Sequence, residues 1–285
     1  GFNGSLDGRG HTIRGLTIDR PNQDYVGLFA SVAHDATVSN VTLEDVDVTG
    51  NYGTGSIAGT STGGTISRVA ATGHVTGNST GGLVGITASF NGVASVVSES
   101  ATAVNVTDKS KSDRVGGLIG SVQGDVTVTQ TYATGDVTGN RFDAAGLIGE
   151  ISEGKPVVNR SYVTGNVFAE NTPYKVVTVS PYGGWTSTSD LYYDAETKRS
   201  ETQIHDESRV TGLSTDQLTG AAARNETGLD FETTWEVRTG QNESYPYLRN
   251  VTLPHLPGPR SSAVGLPSVG IDATNPAGQD VRVVI

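Results

Sequence analysis

The chain has 285 residues, 35% hydrophobic and 17% charged, with 30 Asp and Glu against 19 Lys and Arg for a formal net charge of −11. It has no cysteine, which excludes disulfides, thiolate metal sites and cysteine nucleophiles. The acidic balance argues against a nucleic-acid groove, where Lys and Arg must neutralise phosphates, and no apolar run approaches the roughly 18 residues of a membrane span.

With no methionine, Gly1 is expected not to be a translation start, so any signal, anchor or partner domain would lie outside this sequence. The excess of Arg over Lys, 14 to 5, together with the acidity points to salt tolerance. Glycine, at 38 positions, and abundant threonine disfavour helix. Short runs of Val, Ile and Leu recur throughout, which a disordered linker would lack.

In chain order, residues 1–20 alternate Phe2, Leu6, Ile13, Leu16 and Ile18 with polar residues and are expected to cap the first unit. A glycine-aliphatic box then recurs at 26–32, 54–60, 81–87, 116–122 and 145–151, aligned on Gly27, Gly55, Gly82, Gly117 and Gly146. A companion segment follows at 38–50, 66–77, 128–139 and 158–169, with a degenerate copy at 93–107. The boxes are 28, 27, 35 and 29 residues apart, which gives a period of about 28 and places a polar surface insertion at Thr107–Arg114. A repeat of this length implies stacked units that bury their apolar faces only against one another. It is too short for a propeller blade and lacks the Leu-Asn signature of a leucine-rich repeat. The expected fold is all-β: a parallel β-helix, or β-solenoid, with the right-handed winding usual for such folds. Leu83, Val84 and Ile86 should face inward, with glycines at φ > 0 in the corners. In TYATGDVTG, alternation should put Tyr132 and Thr134, or Ala133 and Val137, on opposite faces on either side of a glycine bend.

Gly82-Leu83-Val84-Gly85, Gly117-Leu118-Ile119-Gly120 and Gly146-Leu147-Ile148-Gly149 resemble the GLUG-motif family. The likeness runs from Phe2 to about Leu248 and includes the opening segment 2–29, YDAE at 193–196, and Trp235 with Tyr245-Pro246-Tyr247-Leu248. The second box departs from the pattern as GSIAG at 55–59, and the copy at 93–107 lacks the Thr-Gly turn. The resemblance implies a β-helical part of a large secreted or cell-surface protein, of the kind found in adhesins, bacterial IgA-protease-related proteins and haloarchaeal surfaces. It implies no conserved catalysis.

The solenoid is expected over 1–185, a last strand and C-terminal cap over 186–253, and a Pro/Gly linker with a terminal strand over 254–285. Ser214-Thr215-Asp216-Gln217 fits a capping box opening a short helix through about Ala223, with Gln217 at N3. Trp185, Trp235, Tyr245 and Tyr247 should supply the plug over the final coil. The terminal strand begins another domain or pairs with a neighbouring subunit.

Eight N-x-S/T sequons, at Asn3, Asn40, Asn78, Asn105, Asn159, Asn225, Asn242 and Asn250, exceed chance and are candidate glycosylation sites. The competing reading is Asn turns and ladders inside the solenoid. Glu44-Asp45-Val46-Asp47 and Asp230-Phe231-Glu232 read as solvated acidic turns and not as cation sites. For a β-helix enzyme, carboxylates must converge on one face. Asp19, Arg20 and Asp24 are close in sequence, and Asp136 and Asn166 occupy equivalent turns, but His74 interrupts that row. His11, His34, His74, His205 and His255 are scattered. No catalytic residue, metal or cofactor is assigned. The expected function is a non-catalytic, extracellular or cell-surface structural and adhesive module, with surface glycans, other cells or copies of itself as partners. The alternatives are a surface filament or surface-layer subunit and a carbohydrate-active enzyme.

Overall fold

The structure, a computed structural model, describes residues 1–109, 114–139, 144–169, 173–174, 176–179, 187–197, 210–240, 243–251 and 253. Trp185, Asn242, His205, His255 and the expected linker and terminal strand at 254–285 lie outside the described residues.

β-Branched runs separated by tight corners wind into about six stacked turns of a parallel β-solenoid. Ser5 pairs with Thr37, then Thr65, Val96, Thr127, Val157 and Ser187, so successive coils advance by 32, 28, 31, 31, 30 and 30 residues. The box spacing of about 28 therefore marks the shortest coil. Parallel strands of a second sheet stack Phe29 on Ala58, Val84, Ile119, Ile148 and Val177. Between the sheets lies a narrow core of small aliphatics, including Leu43, Ile57, Leu83, Leu118 and Leu147, each fully buried. Val84 and Ile86 are buried as expected. Of the expected insertion, Thr107 and Asp108 instead complete the strand Ser95–Asp108, and residues 110–113 lie outside the described residues.

The box glycines serve a purpose other than the one expected. None of Gly27, Gly55, Gly82, Gly117 and Gly146 has positive φ. A Cβ on Gly82 would instead lie 2.1 Å from Gly117 O of the next coil, and one on Gly117 2.2 Å from Gly146 O. The closing glycine of each box faces the opposite limb: Gly85 would place a Cβ 2.3 Å from Thr54 N, Gly120 2.5 Å from Thr80 N, and Gly149 2.4 Å from Val115 N. Two backbones meet there with no room for a side chain.

Positive φ falls on glycines outside these positions, among them Gly10, Gly53 and Gly154, and on a column of polar residues. Arg9, Asn40, Arg68, Glu99, Gln130, Arg160 and Asp190 have φ between 44° and 56°, one at the same corner of each coil. The left-handed residue sits between two stretches of strand and bends the long limb, so that the residues on either side of it stay in register.

The expected N-terminal cap is corrected, and so is the placement of the C-terminal aromatic plug. Residues 1–20 are not a lid: the strands Ser5–Arg14 and Thr17–Asp19 are the first coil, paired in parallel with Thr37–Gly55. Leu6, Ile13, Leu16 and Ile18 are accordingly only half-buried. At the other end, Thr211–Leu213 pairs with Ser187–Asp194 and covers the last edge. The remaining described C-terminal residues lie along the side of the solenoid, not across its end. They run from Leu213 past Trp235 and Tyr245 to Val251 and Leu253, over the column Ala70, Ala101, Tyr132, Tyr162 and Tyr192. Tyr132 faces this strap, while Ala133 and Val137 both face the inner core, so the bend does not split that pair as expected.

The rings of Tyr132 and Tyr162 stack 5.2 Å apart, and Trp235 lies 5.8 Å from each. Trp235 Nε1 donates to Gln130 Oε1 at 2.7 Å, and Tyr162 OH donates to Pro246 O at 2.5 Å. Burial pushes both phenols, Tyr132 and Tyr162, well above the ordinary value, so each remains a neutral O–H. Asp194, nearly inaccessible, clasps the strap by accepting from Tyr245 OH and from Thr215 Oγ1 at 2.7 Å. The expected capping box forms: Ser214 N donates to Gln217 Oε1 and Gln217 N to Ser214 Oγ. It closes a turn over 215–218 instead of opening the helix, which runs Gly220–Glu226. Gly220, at φ 55°, donates its N–H to Ser244 O, and this breaks the continuity between turn and helix.

Candidate functional site

The outer corners carry the polar chemistry, in three columns. In the first, Asn40 donates through Nδ2 to Asp7 Oδ1 at 2.8 Å and accepts from Arg68 Nε at 2.7 Å, and Arg68 lies 3.9 Å from Glu99. The Asn40 amide, with the Arg9 backbone N–H, holds the Asp7 carboxyl below its ordinary value. In the second, Asp47, His74, Asn105, Asp136 and Asn166 stack. Asp136 N donates to Asn105 Oδ1, and Asn166 donates both its N–H and its Nδ2 to Asp136 Oδ1 at 2.9 Å. In the third, Asn51 donates to Asp24 Oδ1 at 2.7 Å and accepts from Asn78 Nδ2 at 2.9 Å.

These ladders divide the sequons. Asn40 and Asn78 are half-buried and donate their amides along the columns, and half-buried Asn159 accepts from Thr129 Oγ1. Asn3, Asn105, Asn225 and Asn250 are exposed, Asn225 on the helix.

Among the described residues the candidate carboxylates do not converge. Asp24 is turned to Asn51 and Tyr52 N, whereas Asp19 and Arg20 line a concavity of about 400 Å3 on the first coil with Gln23 and Tyr25. Asp136 is absorbed in its ladder. Glu44 pairs with Arg14 at 2.7 Å, while Asp45 and Asp47 are exposed. Asp230 accepts from Thr233 Oγ1 and from the backbone N–H groups of Thr233 and Glu232, which holds its carboxyl below the ordinary value. Among the described residues no group of three His, Asp or Glu is placed to hold a metal ion. His34 stacks 5.3 Å from Phe90 at the tip of an Asn-Gly turn, and His11 and His74 are exposed and apart from it.

A second groove, of about 470 Å3, opens where the strap reaches the early coils; Arg9, Asn40, Thr42, Arg68, Glu99 and Asn250 line it. Sequence reasoning missed this left-handed column. Its signal was present as a hydroxyl or Asn followed by a polar residue: Ser39-Asn40, Ser67-Arg68, Ser98-Glu99, Thr129-Gln130, Asn159-Arg160 and Ser189-Asp190.

Away from the columns, Arg114 Nε reaches Glu150 Oε2 at 2.6 Å, and Glu150 is largely buried. Burial pushes its carboxyl above the ordinary 4.5, with Arg114 pulling it back down. A raised folded value means the folded chain holds this proton more tightly than the unfolded chain. The stability it contributes is complete below about 4.5 and is lost as pH rises through the folded value. Denaturant melts should therefore show wild type losing stability relative to Glu150→Gln between pH 4 and pH 7. A constant difference would contradict this.

No family model matches the chain. The chain is 41% identical over 280 residues to Halomucin from Haloquadratum walsbyi, an alignment that takes in 96% of the chain and 3% of that protein's length. Its fold is similar to the crystal structure of a candidate immunoglobulin A1 protease from Bacteroides ovatus, with a TM-score of 0.61 and 18% identity over 87% of this chain and 78% of that one. At that identity the second likeness shows a shared fold alone.

Proposed function

We propose that this chain is a non-catalytic, GLUG-type structural and adhesive module of a much longer extracellular or cell-surface protein suited to high salt. The observation that carries this reading is the coil-to-coil pairing from Ser5 to Ser187, with corner carboxylates and amides bonded to one another between coils. Such side chains stiffen a rod and present polar rows, and they are not free to act as a paired acid and base. The similarity to Halomucin supports the surface setting.

Labelling of intact cells that make the full-length parent protein, with an antibody to this segment, tests the setting. Labelling before lysis is expected, and labelling only after lysis would contradict it. Incubation of the chain with acidic polysaccharides and with immunoglobulin A1 should release no product, and turnover of either would overturn the non-catalytic reading. Removal of residues 261–285 should leave the assembly state unchanged. Loss of polymerisation on that truncation would favour the filament reading instead.

A further inference from the structure

Asn250 brings together two features that are otherwise separate. It heads the sequon Asn250-Val251-Thr252, and it stands at the rim of the groove that contains Arg9, Arg68 and Glu99. Its side chain is exposed and makes no hydrogen bond among the described residues, in contrast to the amides of Asn40 and Asn78. Among the described residues the groove it borders is lined by polar side chains together with Gly10 and Val251, and by no aromatic ring. Arg9 is exposed, and its guanidinium lies in the field of the Asp7 carboxylate without an ion pair within 4 Å among the described residues. Arg68 spends Nε on Asn40 and lies at a loose 3.9 Å from Glu99. Forked donors beside a carboxylate and an amide, in a space of about 470 Å3, suit a short run of sugars with hydroxyls and an acidic group.

We propose that Asn250 carries an N-linked glycan and that the Arg9–Arg68–Glu99 groove seats its first sugars, with an acidic group directed at Arg9. The proposal rests on the extracellular reading, since transfer requires a translocated asparagine. In the transfer, the bond from Nδ2 to the anomeric carbon forms as that carbon's bond to the phosphate of a polyprenyl-linked donor breaks, and the Nδ2 proton is lost to the medium. Because the glycan is tethered at the rim, its local concentration at the groove is high, and even weak contacts hold it.

The test uses the full chain produced in an N-glycosylating haloarchaeal host. Peptide mass spectrometry should find Asn250 modified, and an unmodified Asn250 overturns the proposal. Enzymatic release of that glycan should be about tenfold slower from folded than from unfolded protein, the effect of one hydrogen bond to a charged group. Arg9→Asn, which keeps a residue tolerant of φ 50°, should remove most of that protection. Equal release from folded and unfolded protein, or protection unchanged by Arg9→Asn, overturns the groove as the seat. The surface reading survives either failure and falls instead to the cell-labelling experiment.

Discussion

Gly120→Ala is expected to cost about 4 kcal/mol or more and to leave little folded protein at room temperature. The added methyl would sit 2.5 Å from Thr80 N and 2.5 Å from Ser79 C, and both are backbone atoms with no rotamer to yield. Moving them apart would separate opposite limbs of neighbouring coils and break the ladders above and below. Gly10→Ala supplies the contrast. Gly10 has φ 77° with nothing within 4 Å of an added methyl, so the change costs only the left-handed strain, about 1 kcal/mol. Thermal melts of the two variants separate close approach from backbone conformation. Equal losses would show that the box glycines are conformational after all.

Trp235→Ala should release the strap while the solenoid persists. Trp235 is fully buried against Tyr132 and Tyr162, and its Nε1 is satisfied by Gln130. Truncation of such a side chain costs about 3–5 kcal/mol, and here it also leaves the Gln130 carbonyl without this donor. The inner core of Leu83, Leu118 and Leu147 does not touch this face and should be spared. Hydrogen exchange is expected to accelerate over residues 213–251 and to stay slow across Val126–Ala133 and Val157–Val163. Uniform acceleration would mean that strap and solenoid are one cooperative unit.

The repeat made the architecture legible, because a unit of about 28 residues has no way to bury its aliphatics except against its neighbours. The inward face at Leu83, Val84 and Ile86 could be read from the box, and it holds. What escaped was longer in range. Whether Gly82 is needed for its dihedral angles or for the Gly117 carbonyl beneath it is decided one coil away, and composition is silent on that. The column of Tyr132, Tyr162 and Tyr192 was visible as spaced tyrosines, but its cover comes from Trp235 and Tyr245, tens of residues further on. Placing those residues on the side or the end of the rod needs the path of the chain. The candidate site was half legible. All eight sequons could be read, but the ladders that occupy Asn40 and Asn78 depend on which asparagine sits above which. The left-handed corner was hidden because Arg, Glu and Gln stand at five of its seven positions, where Gly or Asn would have announced it, and Asn stands only at Asn40.

The central claim, a stiff stack of parallel coils, predicts a distance. Asp19, Thr49, Thr76, Thr107, Thr138 and Phe168 lie in one column, and Asp19 and Phe168 at its two ends are exposed. The chain has no cysteine, so Asp19→Cys with Phe168→Cys gives two unique spin-label sites. Five steps of about 4.8 Å place their backbones about 24 Å apart. Pulsed electron paramagnetic resonance should give one narrow distribution centred near that value, unchanged between low and high salt. A broad distribution, or one centred well beyond it, would contradict the rigid solenoid and the presenting role built on it.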